Sequence, residues 1–422
     1  MGNYSGSRRL WGIRLTLWIL NMKKHFLYIL ICLIYFPTIT QAQDSSYTEE
    51  KEPLVTINGY LKELGTLSFS KQMDNYRYDN LIHNRLNSQW NLGKRWIGKL
   101  EVRNRIFNGY TVESLHMANE QFSALPTYGQ VLDEDLGLVD LSWTWMDGQQ
   151  VVGHTTIDRL SLAYRREKWE LKVGRQRINW GKTMAWNPND LFNTYSYLDF
   201  DYEERPGADA IRFQYFRGYA SGFEVAIRPD ESIDKSVAAV MLKHNNFGYD
   251  FQWLVGSYFT ELAVGLGWAG NIKGIGFKGE ATYFHPRENW QEQSGFINAT
   301  MGFDYVFPNS LYAQVEFLYN GNWDDTQSAA ELLARPLPAN NLFIAKTAFL
   351  AGTSYQIHPL VSINASAIVS PTDEVYIFVP GLTVSLAENL DFLITAQILR
   401  SQQLEQALTT PNLVFGRFKW SF

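Results

Sequence analysis

The feature that most limits the fold of this chain is the alternation of apolar and polar residues, which fills it from Leu54 to Phe422. In one clear segment, Leu100, Val102 and Ile106 occupy one face while charged residues occupy the other. Period-two alternation over segments of about ten residues predicts β-strands with one apolar face. No amphipathic helix pattern of convincing length interrupts the series, so the chain is predicted to be all-β.

The turns between these segments alternate between short and long. The turn at 91–95 is short, for example, whereas the connections at 107–153 and 179–207 are long. This asymmetry is typical of a transmembrane antiparallel up-and-down β-barrel, which has tight periplasmic turns and long external loops. Sixteen strands is an alternative to eighteen, because the segment Leu138 to Trp145 can be a strand or part of a loop. The eighteen predicted strands lie near 54–67, 79–91, 95–106, 154–166, 168–178, 208–217, 221–229, 235–245, 247–256, 261–271, 274–285, 295–306, 310–320, 341–357, 359–370, 375–387, 390–400 and 412–422.

Residues 1–43 have the three parts of a secretory signal peptide. Lys23 and Lys24 precede an apolar run at 25–36, and small and polar residues follow that run. Twelve apolar residues are too few to span a bilayer as a helix. We predict cleavage near residue 43, and Met22 is an alternative translation start because a signal peptide requires nothing that precedes it.

The predicted mature chain has two parts. Residues 44–53 form a short polar periplasmic leader, too short for a plug domain, and residues 54–422 form the barrel. The single cysteine, Cys32, lies in the signal peptide, which excludes disulfides and thiolate metal sites from the mature chain. Removal of residues 1–43 takes away five basic and no acidic residues, and the acidic remainder argues against a nucleic-acid partner.

The last segment ends on an aromatic residue at the carboxyl terminus. Phe418, Trp420 and Phe422 share one face, with basic and small polar residues between them. A strand that closes a barrel at the membrane interface needs aromatics there. The pattern resembles the terminal signature of outer-membrane β-barrels, which implies the barrel-assembly machinery and outer-membrane lipid as partners. We predict that residues 413–422 pair antiparallel with 54–67 and that the aromatics face lipid near the periplasmic rim.

A dense cluster of unusual residues begins at the end of one predicted strand. It reads Gly-Arg-Gln at 174–176, Trp-Gly at 180–181 and Asn-Pro-Asn-Asp at 187–190. This combination resembles the porin-like outer-membrane proteins grouped with alginate-export and related solute porins. The resemblance implies a passive channel in the outer membrane of a Gram-negative cell, and it does not identify the solute.

Basic residues gather on neighbouring segments, on the faces opposite the apolar ones. Arg175 and Arg177 have matching parity, which predicts that both project into the lumen. There, either could bond Asp190 and hold an inward loop at 179–207. Such a loop either constricts the pore or is merely pinned to the wall. The candidate pore-lining and constriction residues are Arg103, Arg105, Arg159, Arg175, Arg177, Arg212, Lys182 and Asp190.

This basic wall has two interpretations. Rings of charged side chains select ions in pores, which predicts a preference for anionic solutes. Acidic residues such as Glu101 and Glu170 lie on the same faces, so a polar lumen with compensating charges is the alternative.

The leading functional interpretation is an outer-membrane, porin-like channel for passive diffusion of small hydrophilic solutes, with no cofactor and no enzymatic activity. One alternative is a barrel-embedded hydrolase, although no Ser, His and acidic residue show the spacing of its catalytic group. Another is a structural or adhesive barrel with an occluded lumen. The histidines lack ligand spacing, so no metal site is predicted. A homo-oligomer remains open, but no outward strand face reads as polar enough to mark an interface.

Overall fold

A computed structural model describes residues 53–123, 125–135, 137–193, 207–218, 220–288, 290–324, 337–401 and 411–422. The predicted signal peptide lies outside these residues, as does the predicted leader apart from Pro53. Nothing in the structure therefore bears on either segment.

The described chain is almost entirely β-structure. Its two α-helices, α1 (Tyr110–Gln121) and α2 (Tyr128–Leu132), and the 3-10 helix Ile233–Lys235 all lie in connections between strands. None of the described helices is long and apolar enough to cross a membrane. The strands are β1 Val55–Phe69, β2 Arg77–Leu92, β3 Trp96–Gly109, β4 Ser142–Asp147, β5 Val151–Arg166, β6 Trp169–Gln176, β7 Ala208–Phe216, β8 Gly222–Arg228, β9 Val237–Asn246, β10 Tyr249–Tyr258, β11 Glu261–Ile272, β12 Ile275–Pro286, β13 Phe296–Val306, β14 Tyr312–Asn320, β15 Thr347–His358, β16 Val361–Ser370, β17 Val375–Ala387, β18 Leu390–Arg400 and β19 Asn412–Ser421.

All of these strands except β4 close into an antiparallel barrel of eighteen strands, as predicted. The ring closes because β19 returns to β1, with Tyr60 opposite Ser421 and Phe69 opposite Asn412. The predicted pairing of the terminal segment with the first strand is thus confirmed. Strand β4 lies outside the ring: it pairs with the outer end of β5, while β3 pairs with β5 directly. The ambiguous segment near Leu138 to Trp145 therefore contributes a strand to a loop and not to the wall.

Side chains alternate between an outward and a lumen side along each strand. On β1, Leu61 is 44% exposed and its neighbour Lys62 only 1%. Many outward positions elsewhere are apolar, such as Trp253 and Phe349, and Trp96 lies near the rim with the short turns. An apolar belt with aromatic residues at its edges is what a barrel needs in a bilayer. The protein is an outer-membrane β-barrel, and its short-turn rim is the side that the sequence predicts to be periplasmic.

The terminal aromatics lie where the sequence predicts. Phe418, Trp420 and Phe422 share the outward side of β19, and each is nearly half exposed. The chain end is fixed by two main-chain hydrogen bonds of 3.0 Å between Phe422 and Gly59, one in each direction. A side chain at position 59 would collide with the carbonyl oxygen of Arg85, so glycine is required for this close approach.

One part of the outward face carries a group of polar side chains. Nδ2 of Asn104 donates to Oδ1 of Asn84 at 3.2 Å, and Thr155 Oγ1 donates to Asn104 Oδ1 at 2.8 Å. Nearby, Asn80 Nδ2 donates to a Glu63 carboxylate oxygen at 3.0 Å. By register, these residues share the outward side of β1, β2, β3 and β5. This group is called the outward polar ladder below, and whether it marks an interface stays a prediction.

Candidate functional site in the barrel lumen

The connection after β6 enters the barrel. Its described part, 177–193, contains Ile178, Trp180, Asn189 and Asp190, all at most 1% exposed. Such burial of polar and apolar side chains together requires the surrounding wall strands as partners. This segment, called the inward loop below, is the main described part of the chain that lies inside the barrel.

A wall carboxylate on β12 holds the middle of the inward loop. Glu280, itself fully buried, accepts hydrogen bonds from the main-chain N–H groups of Thr183 and Asn189, both at 3.0 Å, and from that of Lys182. Main-chain N–H groups that converge in this way make a nest for an anion. Here the anion belongs to the protein, so the nest anchors the loop and is closed to a solute.

A second wall carboxylate, on β14, holds the adjacent turn of the loop in the same manner. Glu316 accepts from the main-chain N–H groups of Met184, Ala185 and Trp186 at 2.9, 3.1 and 3.0 Å. Charge-assisted hydrogen bonds of this kind are roughly twice as strong as neutral ones. The two carboxylates thus fix the inward loop from one side of the barrel.

The start of the loop is anchored on another part of the wall. Trp180 donates its indole N–H to Glu224 on β8 at 2.6 Å. Arg212 on β7 binds the same carboxylate with two hydrogen bonds, at 2.7 and 2.9 Å. The charge of Arg212 is therefore compensated, as the alternative interpretation of the basic wall expects.

A further connection packs on the inward loop from the outer mouth. The segment 337–346 buries Phe343, whose ring lies 5.6 Å from the Trp186 ring in an edge-on arrangement. Beside it, Asp373 accepts hydrogen bonds from Trp323 Nε1 at 3.0 Å and from the main-chain N–H of Lys346 at 3.1 Å. Although burial alone would raise it, the pKa of Asp373 is held below its usual range by these bonds and by those from two neighbouring hydroxyls.

Arg175, predicted to project into the lumen and bond Asp190, binds other carboxylates instead. The guanidinium is 5% exposed and makes two-pronged contacts with Asp135, at 2.7 and 3.1 Å, and with Asp209, at 2.8 and 3.0 Å. The carbonyls of Ile157 and Val139 accept further bonds from it. Of the two predicted partners of Asp190, Arg175 is therefore wrong, because every nitrogen of Arg175 is already used where β6 ends.

Asp190 is instead part of the internal structure of the loop. Its main-chain N–H donates to the Asn187 carbonyl at 3.1 Å, which closes the turn that the Asn-Pro-Asn-Asp sequence predicts. Its side chain accepts from the main-chain N–H of Trp180 at 3.4 Å. The loop is thus held by wall carboxylates that bind its main chain, and the sequence analysis missed Glu224, Glu280 and Glu316.

The remaining predicted residues lie in several environments. Arg103 and Arg105 on β3 and Arg159 on β5 line one wall, where Arg103 binds Asp158 at 2.9 Å. Arg105 contacts His154 at 3.1 Å. These side chains form one end of a larger cationic surface.

Arg177 and Lys182 belong to the inward loop. Arg177 is exposed just after the end of β6, and Lys182 is half-buried. Burial lowers the pKa of the Lys182 ammonium below its usual value, against the opposing attraction of Asp250. The structure therefore brings Lys182 close to Glu280 while Arg177 stays at the base of the loop.

The cationic surface extends over strands that the sequence analysis did not include. Lys62 on β1 and Lys419 on β19 face each other across the strand pair, with their ammonium groups 5.4 and 4.8 Å from the Tyr60 ring centre. Arg85 on β2 is 1% exposed and binds Glu101 at 2.6 Å as well as Asp158. We call β19, β1, β2, β3 and β5 the basic wall. Its lumen-facing cations include Lys62, Arg85, Arg103, Arg105, Arg159, Arg417 and Lys419.

The Gly-Arg-Gln sequence has a structural role. Gly174 adopts φ 110°, and a side chain there would collide with the carbonyl oxygen of Leu160, so only glycine fits. Gln176 donates its amide N–H to the Ala210 carbonyl at 3.0 Å. Both residues, with Arg175, fix the wall at the point where the chain turns into the lumen.

Comparison with known proteins supports the fold. The sequence matches no family model and no curated protein. Among solved structures it is similar to OccAB2 of Acinetobacter baumannii (TM-score 0.56, 10% identity, 87% of this chain and 98% of that one covered). It is also similar to OccK5 (OpdH) of Pseudomonas aeruginosa (0.51, 10%, 86% and 97%) and to the outer membrane protein OpdK of the same species (0.51, 8%, 87% and 98%). The chain has the fold of these barrels. The finer resemblance to alginate-export porins is not confirmed.

Proposed function

We propose that the protein is a passive outer-membrane channel for small hydrophilic solutes and that its lumen favours anions. The observation that carries this proposal is an asymmetry between two sides of the lumen. The carboxylates of Glu224, Glu280 and Glu316 are occupied by the inward loop and by Arg212. On the basic wall, by contrast, cationic side chains from five adjoining strands face the lumen.

The mechanism is diffusion through the lumen that the inward loop narrows. Guanidinium and ammonium groups along that wall replace part of the hydration of an anion as it passes. Because each cation binds weakly and several follow one another, a solute is attracted without being trapped. No covalent step is required.

In the described part of the chain, no serine is placed as the nucleophile that the enzymatic alternative needs. Within the described residues, no serine hydroxyl hydrogen-bonds a histidine ring. A hydrolase of the serine type needs that contact to activate its nucleophile. A channel therefore remains the better proposal.

Planar-bilayer recording under a salt gradient tests both parts of the proposal. We expect single-channel currents and a reversal potential of the anion-selective sign. The double variant Arg417→Gln/Lys419→Gln removes two charges from the basic wall and is expected to lower the anion-to-cation permeability ratio about threefold, the effect of roughly one kT of potential.

A matched control removes two lumen cations that lie outside the basic wall, on β9 and β12. Lys243 lies 3.5 Å from Glu224, and Lys278 lies 2.7 Å from Asp304. The variant Lys243→Gln/Lys278→Gln is expected to change selectivity less. Cation preference in the wild type would overturn the anion assignment, and the absence of any current or liposome swelling would favour an occluded barrel. Vanillate, present in a crystal structure of OpdK, is a suitable carboxylate solute for the swelling assay.

A further inference from the structure

Two short turns at the periplasmic rim form a cationic cleft of about 740 Å³. Lys94 and Arg95 come from the β2–β3 turn, and Arg166 and Lys168 from the β5–β6 turn. The turns are joined by a main-chain hydrogen bond of 2.8 Å from Arg165 to Arg95. Five of the eight lining residues are basic and one is acidic, so the fold holds like charges together.

Two guanidinium groups in this cleft converge on one neutral oxygen. Arg95 donates to the Tyr164 hydroxyl at 3.3 Å, and Arg166 donates to the same oxygen at 3.2 Å. Arg165 on the lumen side is paired with Glu170 at 2.6 Å. Across the described residues, neither Arg95 nor Arg166 has a carboxylate partner. Such a pair is mutually repulsive until an anion lies between the two groups.

The cleft opens toward lipid and not only toward the periplasm. Tyr164 lies on the outward side of β5, opposite Trp96 of β3. The Tyr164 ring is 4.8 Å from the Trp96 ring and 5.5 Å from the Trp169 ring. Amphipathic aromatics of this kind mark the headgroup level of a membrane. The two guanidinium groups therefore lie at the depth of the phosphates of the periplasmic leaflet.

We propose that this cleft binds the phosphodiester of an anionic phospholipid in the periplasmic leaflet. Arg95 and Arg166 present planar donor forks that match phosphate oxygens, and Lys94 and Lys168 add point charges beside them. The acyl chains lie along the aromatic surface next to the cleft. A soluble phosphate offers the same anion without those chains, so it is the competing source of the ligand. The site is separate from the lumen and does not depend on the proposed channel activity.

Native mass spectrometry of the folded barrel tests the assignment. The protein is released from micelles that contain phosphatidylglycerol, phosphatidylcholine or no added lipid. We expect one retained phosphatidylglycerol per barrel and no retained phosphatidylcholine. The variant Arg95→Gln/Arg166→Gln is expected to weaken retention about tenfold or more, because two charge-assisted contacts are lost. Both side chains are exposed, so the variant is expected to fold.

The control variant Arg217→Gln/Lys273→Gln removes two exposed cations from other periplasmic turns and is expected to retain the lipid. Equal loss in both variants would show a general charge effect and overturn the site. Unchanged retention in Arg95→Gln/Arg166→Gln would also overturn it. Glycerol phosphate in excess provides the second arm: no displacement supports the lipid, and full displacement assigns the site to soluble phosphates.

Discussion

Arg175 shows how far the alternation of single residues can mislead. The alternation places Arg175 on the same strand face as Arg177 and predicts that both side chains face the lumen. The register shows the contrary, since Arg175 lies opposite Leu160 and Asp209, on the side of β6 that carries the exposed Val173. Its carboxylate partners are 34 and 40 residues away in sequence, so no local pattern could have revealed them.

Substitution of Arg175 is expected to destabilise the barrel and to leave ion selectivity unchanged. Removing one partner of a buried ion pair typically costs about 3–5 kcal/mol, because the other charges stay buried. Arg175→Ala should therefore lower the temperature at which the folded barrel converts to its heat-denatured form on a gel. Arg175→Lys should do so too, since an ammonium cannot form both two-pronged contacts.

The exposed Arg177 supplies the matched control for that experiment. Arg177→Ala makes the same change of charge two residues away and is expected to leave the conversion temperature nearly constant. A selectivity change in Arg175→Ala at unaltered stability would contradict the structural role.

At the level of elements, the strands were far easier to predict than the loops. Contact with lipid obliges every wall strand to be apolar on its outward side, so the pattern is visible in each strand alone. The inward loop lies inside the barrel, so contact with lipid imposes no alternating pattern on its sequence. Its anchors are main-chain groups and two glutamates nearly a hundred or more residues downstream, and only an isolated carboxylate in each of β12 and β14 hints at them.

Loss of the two loop anchors is expected to widen the pore. Glu280→Ala and Glu316→Ala each leave three main-chain N–H groups without their charged acceptor, and such bonds contribute about 1.5–3 kcal/mol apiece. We expect higher and noisier single-channel conductance, largest in the double variant. Asp304→Ala removes a lumen carboxylate that binds Lys278 and not the loop, so its conductance should stay steady.

Unchanged conductance in the double variant would show that the loop is held by its buried aromatics alone. The structure argues against that outcome, because buried main-chain donors of the loop are accepted by these two carboxylates. The carboxylates are therefore expected to decide its position.

At the scale of the whole molecule, the outward polar ladder is the feature that could not be recognised from the sequence. Asn104 stands between Val102 and Ile106 on a face that otherwise reads as apolar. Asn84 lies six residues from Trp90, which in a tilted strand is a rise of about 15 Å into an apolar band of about 25 Å. Lipid chains offer an amide no hydrogen bond there, so such residues favour contact with another protein.

A second copy of this chain is the partner that the outward polar ladder fits best. Asparagine side chains carry both donors and acceptors and can pair with their own kind across a symmetry axis. We therefore predict a homo-oligomer in lipid, detectable by chemical cross-linking and by sedimentation in matched-density micelles. Asn84→Leu/Asn104→Leu should shift the barrel to the monomer without loss of folding.

His244→Leu makes a polar-to-apolar change on the outward side of β9 and should leave the oligomer intact. A monomeric wild type would refute self-association through this face, because the amides would then be satisfied by the hydrogen bonds within the ladder itself.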